Sequence, residues 1–160
     1  METNGYDMTE PAPISGLEDH LGFWLRYVSN QVSHAFSRKV EARGVTVAEW
    51  VLLRELYGRD PVAPSALAER LGMTRGGISK LVDRCEAKSL VTSTAGKADR
   101  RYQELALTPA GKMLVPELAA LADDNDAEFF AHLAPEDRVT LERIMRDIVR
   151  RRSLRHVPID

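Results

Sequence analysis

The chain has 160 residues and a single cysteine, Cys85, so no disulfide framework and no thiolate-rich zinc cluster can form within it. Long apolar runs are also missing. The longest, such as Leu118 to Ala122, fall far below the ~20 residues that a membrane-spanning helix needs, and the acidic opening Met1 to Glu10 lacks the basic region of a signal peptide. A cytoplasmic protein with no membrane association is expected. The sequence holds no phosphate-binding glycine loop, no nucleophile-elbow serine and no metal-ligand pair on one helix. His20, His34, His132 and His156 are scattered without the i, i+4 pairing or cysteine partners that a metal site prefers. Enzyme activity, cofactor and metal are therefore not expected.

The length suits one domain with a real core, and 44% hydrophobic with 29% charged residues is ordinary for a folded soluble protein. The net charge of −2 hides an uneven spread. Residues 70–101 hold eight bases (Arg70, Arg75, Lys80, Arg84, Lys88, Lys97, Arg100, Arg101) and three acids (Asp83, Glu86, Asp99), which leaves this stretch at +5 and the remainder at −7. Such a concentration is the electrostatic footprint of a nucleic-acid surface, although helical surfaces also gather Lys and Arg by chance.

After a lead ending near Gly16, apolar residues from Leu17 through Leu21, Leu25, Val28, Val32, Phe36 and Val40 recur every three or four positions, which predicts one long helix closed by Gly44. Thr46 and Glu49 have capping-box spacing for a second helix from Val47 to about Gly58. Pro64 suits the first turn of a third helix that stops at Gly72, and Thr74 caps a fourth with Ile78, Leu81, Val82 and Cys85 on its inward face. From Leu90 the pattern changes to two β-prone stretches, Leu90 to Thr94 and Arg101 to Leu107, around a basic tip. Thr108 and Pro109 open a fifth helix to about Ala131, which Pro116 should bend locally, and Pro135 opens a sixth. The last residues, from about Ser153, are expected to fray. The fold class is mostly α with a small β-hairpin wing.

A short helix, a tight turn at Gly72-Met73 and a second helix exposing Arg75, Ser79, Lys80 and Arg84 form the arrangement of a helix-turn-helix. The second helix can enter the major groove of double-stranded DNA, with Thr74, Arg75, Gly76, Gly77, Ser79, Lys80 and Arg84 as the candidate contact residues. Two glycines in a first turn ask for a reason, and close approach to DNA is one, although first-turn glycines are also simply tolerated. The following hairpin would carry Lys97, Asp99, Arg100 and Arg101 to the minor groove or its phosphates, Asp99 orienting one guanidinium. The alternative for that tip is a solvated surface loop.

These residues resemble the MarR-type bacterial transcriptional regulators over nearly the whole chain. The matching segments are Gly44 to Trp50, Ser65 to Gly72, Ile78 to Arg84, Asp99-Arg100-Arg101 and Leu107 to Gly111. Three positions depart from the family pattern: Ser89 for a usual glycine, Thr92 for a common basic residue and Cys85 for a usual leucine. The resemblance implies a winged helix-turn-helix repressor, dimeric through its first and last two helices, on a palindromic operator, often released by a small aromatic ligand. Its expected organisation is a lead at 1–16, dimerisation helices at 17–45 and 109–152, a DNA-binding lobe at 46–108 and a tail at 153–160. Phe23, Trp24 and Tyr27 on the first helix and Leu141, Ile144, Met145 and Ile148 on the sixth supply apolar surface for a homodimer. His20, Trp24 and Trp50 fall near the helix junction where the family tends to bind effectors, with plain core or interface residues as the alternative. Cys85, on an inward face with no resolving cysteine, reads as a small buried hydrophobe rather than a redox sensor. The rival reading is a winged-helix protein-interaction module without DNA binding, against which the basic recognition face counts.

Overall fold

The computed structural model describes residues 13–96 and 102–159. The chain divides into two compact units inside its first long helix, one up to Gln31 and one from Val32 onward. In the first unit the helix does not begin at Leu17, as its apolar spacing suggests. Leu17–Asp19 form a 3-10 turn and His20 is extended, so α1 spans Leu21–Glu41. The cause is local: Gly16 donates its N–H to Asp19 Oδ2 (2.7 Å), His20 Nδ1 lies 2.9 Å from Gly16 O, and Trp24 Nε1 donates to Glu18 O at 2.9 Å. Side chains thus occupy groups that a continuous helix would pair along its own backbone.

In the second unit α1 ends where Gly44 takes a left-handed φ of +79°. Helix α2, Val47–Leu56, starts at the reciprocal capping box: Thr46 Oγ1 accepts from Glu49 N, and Glu49 Oε2 accepts from Thr46 N. Helix α3, Pro64–Leu71, has its proline in the first turn and ends at left-handed Gly72. Helix α4, Arg75–Ala87, is capped by Thr74 Oγ1, which accepts from Gly77 N at 3.0 Å. Strands β1 (Val91–Ala95) and β2 (Gln103–Leu107) pair antiparallel with Val91 opposite Leu107, and Val62 adds a short bridge to Leu105. Helix α5 spans Pro109–Phe130 and runs through Pro116; α6 spans Pro135–Arg151.

The core is built where α2, α3, α4, the hairpin and α5 meet, from Leu52, Leu53, Leu67, Ile78, Leu81, Leu105, Val115 and Leu118. Gly111 fixes the join of α5 to the hairpin, because a Cβ there would stand 2.2 Å from Leu90 O. Helix α6 buries no residue. The C-terminal segment, expected to fray, is exposed and without regular secondary structure after α6 but makes defined contacts: Ser153 turns left-handed at φ +52°, Leu154 N donates to Val149 O (3.0 Å), and Val157 N donates to Leu71 O (3.4 Å). No helix among the described residues is long and apolar enough to cross a membrane.

Candidate nucleic-acid interface

Helix α4 sorts its residues by face. Ile78, Leu81, Val82 and Cys85 are buried, whereas Thr74, Arg75, Gly76, Ser79, Lys80 and Arg84 are exposed. The 3.6-residue period alone produces this division, since every third or fourth position is apolar. Thr74 satisfies one amide of the first turn, and the others point outward at the positive end of the helix dipole, which favours an anion such as phosphate. The two glycines differ. A Cβ on Gly77 would meet Thr74 Oγ1 at 3.1 Å and Met73 Cε at 3.4 Å, so this glycine makes room for the cap. A Cβ on Gly76 would meet nothing within 4 Å. The packing therefore accounts for the glycine at position 77 and not for the one at 76.

Glu49 organises the other end of α4, although its spacing in the sequence marks it only as a capping residue. It is 1% exposed and accepts from Lys88 Nζ at 2.7 Å, with Arg84 Nε at 3.9 Å from its other oxygen. Lys88 Nζ also donates to Gly44 O (2.8 Å), so one ammonium ties the α1–α2 turn to the end of α4. Arg84 thus serves the fold with one nitrogen while its side chain stays 56% exposed. The pairing joins positions 39 residues apart, and no local spacing signals it. Cys85 packs beside it, fully buried, and burial first and the Glu49 charge second push its thiol up to about 12. A thiol held protonated in this way is a poor nucleophile, in keeping with the small buried hydrophobe that its inward position suggests.

The hairpin follows α4 through Ser89, which adopts a left-handed φ of +58° despite its side chain. The position usually held by glycine in the resembled family keeps the glycine conformation. Thr92 is exposed on β1, and Gly96 N donates to Tyr102 O (2.7 Å) at the last described pair before the tip. The wing candidates Lys97, Asp99, Arg100 and Arg101 lie outside the described residues.

A cleft of about 320 Å³ opens between α1, α2 and α5 in the second unit, walled by Val32, Phe36, Val47, Trp50, Asn125 and Pro158. The rings of Phe36 and Trp50 meet edge to face at 6.4 Å. Asn125 is buried and fully engaged, donating to Val32 O (3.2 Å) and accepting from Lys39 Nζ (2.8 Å). Trp50 is thus placed as a wall residue, and Phe36 and Asn125 are wall residues that the sequence does not single out. His20 and Trp24 belong to the first unit, where both bond to its opening turn. Among the described residues no cluster of three or more His, Cys, Asp or Glu could hold a metal.

Helix pair, exposed polar face of α4 and following hairpin define a winged helix-turn-helix fold. Residues 43–101 match the model of the MarR family. It is 28% identical over 134 residues to a putative transcriptional regulatory protein for the hcr operon of Thauera aromatica, which covers 83% of this chain and 81% of that protein. It is 26% identical over 120 residues to the HTH-type transcriptional repressor MdtR of Bacillus subtilis, covering 75% and 77% respectively. Among solved structures, CouR from Rhodococcus jostii RHA1 bound to p-coumaroyl-CoA superposes with a TM-score of 0.73 at 25% identity, over 91% of this chain and 99% of that one. The relatives are regulators of transcription and not enzymes.

Proposed function

We propose that the protein is a homodimeric repressor that reads a palindromic operator in double-stranded DNA through α4 and clamps it with the hairpin wing. The observation that carries this reading is the recognition face itself, where Arg75, Ser79 and Lys80 stand exposed on the side of α4 opposite its buried apolar stripe. Arg75, Ser79 and Lys80 would read or flank base edges from the first two turns, while Arg100 and Arg101 would hold the minor groove. An interaction module has no need to concentrate positive charge there, and the relatives' names favour regulation of transcription.

Dimerisation is supported by apolar surface that each unit leaves uncovered. In α6, Leu141, Ile144, Met145 and Ile148 are all exposed, and in the first unit so are Leu21, Trp24, Leu25 and Val28. A two-fold dimer sets its recognition helices about 34 Å apart, one DNA turn, so the operator repeats inverted half-sites. Repression is supported by the similarity to MdtR, named a repressor. The cleft beside Trp50 and Phe36 suits a small aromatic effector, and the similar fold of CouR, solved with p-coumaroyl-CoA, supports a ligand-responsive regulator. Such an effector acts by binding the conformation with the wrong recognition-helix spacing more tightly than the DNA-competent one.

The test compares two variants on operator and scrambled duplexes. Arg101→Ala should weaken both alike and reduce the salt slope by about one unit. Ser79→Ala should weaken operator binding alone, by about 1–3 kcal/mol if it removes a hydrogen bond to a base. Equal losses for both variants on both duplexes would reduce α4 to a phosphate-holding element and contradict specific reading.

A further inference from the structure

The chain after α6 makes an approach that the functional reading does not use. Beyond left-handed Ser153 it lies along the turn between α3 and α4: His156 Nδ1 meets Gly72 O, Val157 N donates to Leu71 O, and Arg155 O lies 2.7 Å from where a Cβ on Gly72 would stand. Only glycine lets the segment come so close. Gly72 is two residues before Thr74, the N-cap of the recognition helix, so the segment is docked at the root of the DNA-reading element.

Its charge is one-sided. Between Asp147 and Asp160 the chain carries Arg150, Arg151, Arg152 and Arg155 and no acid. Arg150 and Arg151 are engaged by Asp147, whose carboxyl their hydrogen bonds hold below its usual range, Arg151 having the larger effect. Arg152 and Arg155 are exposed, and among the described residues neither meets a carboxylate.

We propose that residues 152–158 form a phosphate-binding arm, docked through residues 155–157 on the helix-turn-helix turn, so that Arg155, with Arg152 at the end of α6, extends the positive surface at the N-terminus of α4 onto the flanking DNA backbone. The inference rests on the DNA-binding reading above and deepens it. Arginine suits the task because its planar fork meets two phosphate oxygens at once, and the outward amides of the first turn of α4 present the same sign of charge beside it. Phosphate pairing of this kind carries no base preference; it sets affinity and register. The charge-rich stretch at 70–101 is then continued in space by residues about fifty positions later in the chain.

The experiment uses the full chain with R152A/R155A and R152K/R155K, titrated against operator and scrambled duplexes across a salt series, with thermal unfolding in parallel. Both variants should unfold like the wild type, since both side chains are at the surface. R152A/R155A should lose affinity about tenfold or more on both duplexes, and its salt slope should fall by close to two units, about 0.9 for each phosphate no longer neutralised. R152K/R155K should keep most of the slope, because lysine preserves the point charge. A slope and affinity unchanged in R152A/R155A, with the wild type binding normally, would overturn the arm alone. A raised affinity would also overturn it, by showing that the arm covers the face. A wild type with no salt-dependent DNA binding would overturn the functional reading and the arm together.

Discussion

Gly76 and Gly77 occupy adjacent positions for different reasons, and substitution separates them. Gly77→Ala presses on Thr74 Oγ1 and should cost about 1 kcal/mol of stability by disturbing the cap. Gly76→Ala meets open space and should raise stability by up to ~1 kcal/mol through helix propensity, yet weaken DNA binding about tenfold where the backbone must approach the duplex. Urea unfolding and DNA titration of the two variants check both halves. Gly76→Ala with undiminished DNA binding would assign that glycine to mere tolerance. Cys85 gives a second test at this scale, through pH. Its thiol is raised from 9.0 to about 12, chiefly by burial. Below pH 9 folded and unfolded chains both keep the proton. Between pH 9 and about 12 only the unfolded chain releases it, so stability should fall by up to ~1.4 kcal/mol per pH unit. Unfolding followed at pH 8, 9.5 and 10.5 should show this slope in the wild type and a shallower one in Cys85→Ala. The inward place of Cys85 was legible from periodicity, but the negative charge of Glu49 beside it was not.

Helix boundaries were legible wherever a cap states them. Thr46, Pro64, Gly72, Thr74, Thr108 and Pro109 each stand at the helix end their chemistry indicates. The start of α1 was not legible, because the Gly16–Asp19 and Trp24–Glu18 bonds outbid a regular apolar spacing. The return of the chain after Ser153 was hidden for a similar reason: a left-handed serine and pairing with residues more than eighty positions away leave no periodic mark. The coupling of α2 to α4 belongs to the same class of long-range pairing. Glu49→Gln would keep an acceptor for Thr46 N and remove the charge that holds Lys88, while Lys88, 39% exposed, can turn to water. The expected loss is about 1–3 kcal/mol by urea unfolding. DNA affinity per folded molecule should change less than in the recognition-face variants. A variant as stable as the wild type would show that the buried pair does no more than break even against its desolvation.

At the scale of the whole molecule, the uncovered apolar faces and the basic recognition surface call for two different partners. Helix α6 buries nothing by itself, an unusual state for a helix carrying Leu141, Ile144, Met145 and Ile148, and the proposed dimer would cover this face with a second copy of the chain. The class of fold and the exposed polar face of α4 were readable from order and spacing. The cleft walls were read only at Trp50, because Phe36 was legible only as one position of the apolar stripe of α1 and Asn125 reaches the cleft from α5, distant in sequence. The central claim, a dimer that reads specific DNA, is tested most directly by fluorescence-anisotropy titration of the full chain against the DNA upstream of its own gene and a scrambled duplex, at two salt concentrations. The account predicts saturation at two chains per duplex, salt-dependent binding to both, and a preference for the upstream DNA of at least ~10³. Absence of any salt-dependent binding to either duplex would contradict it.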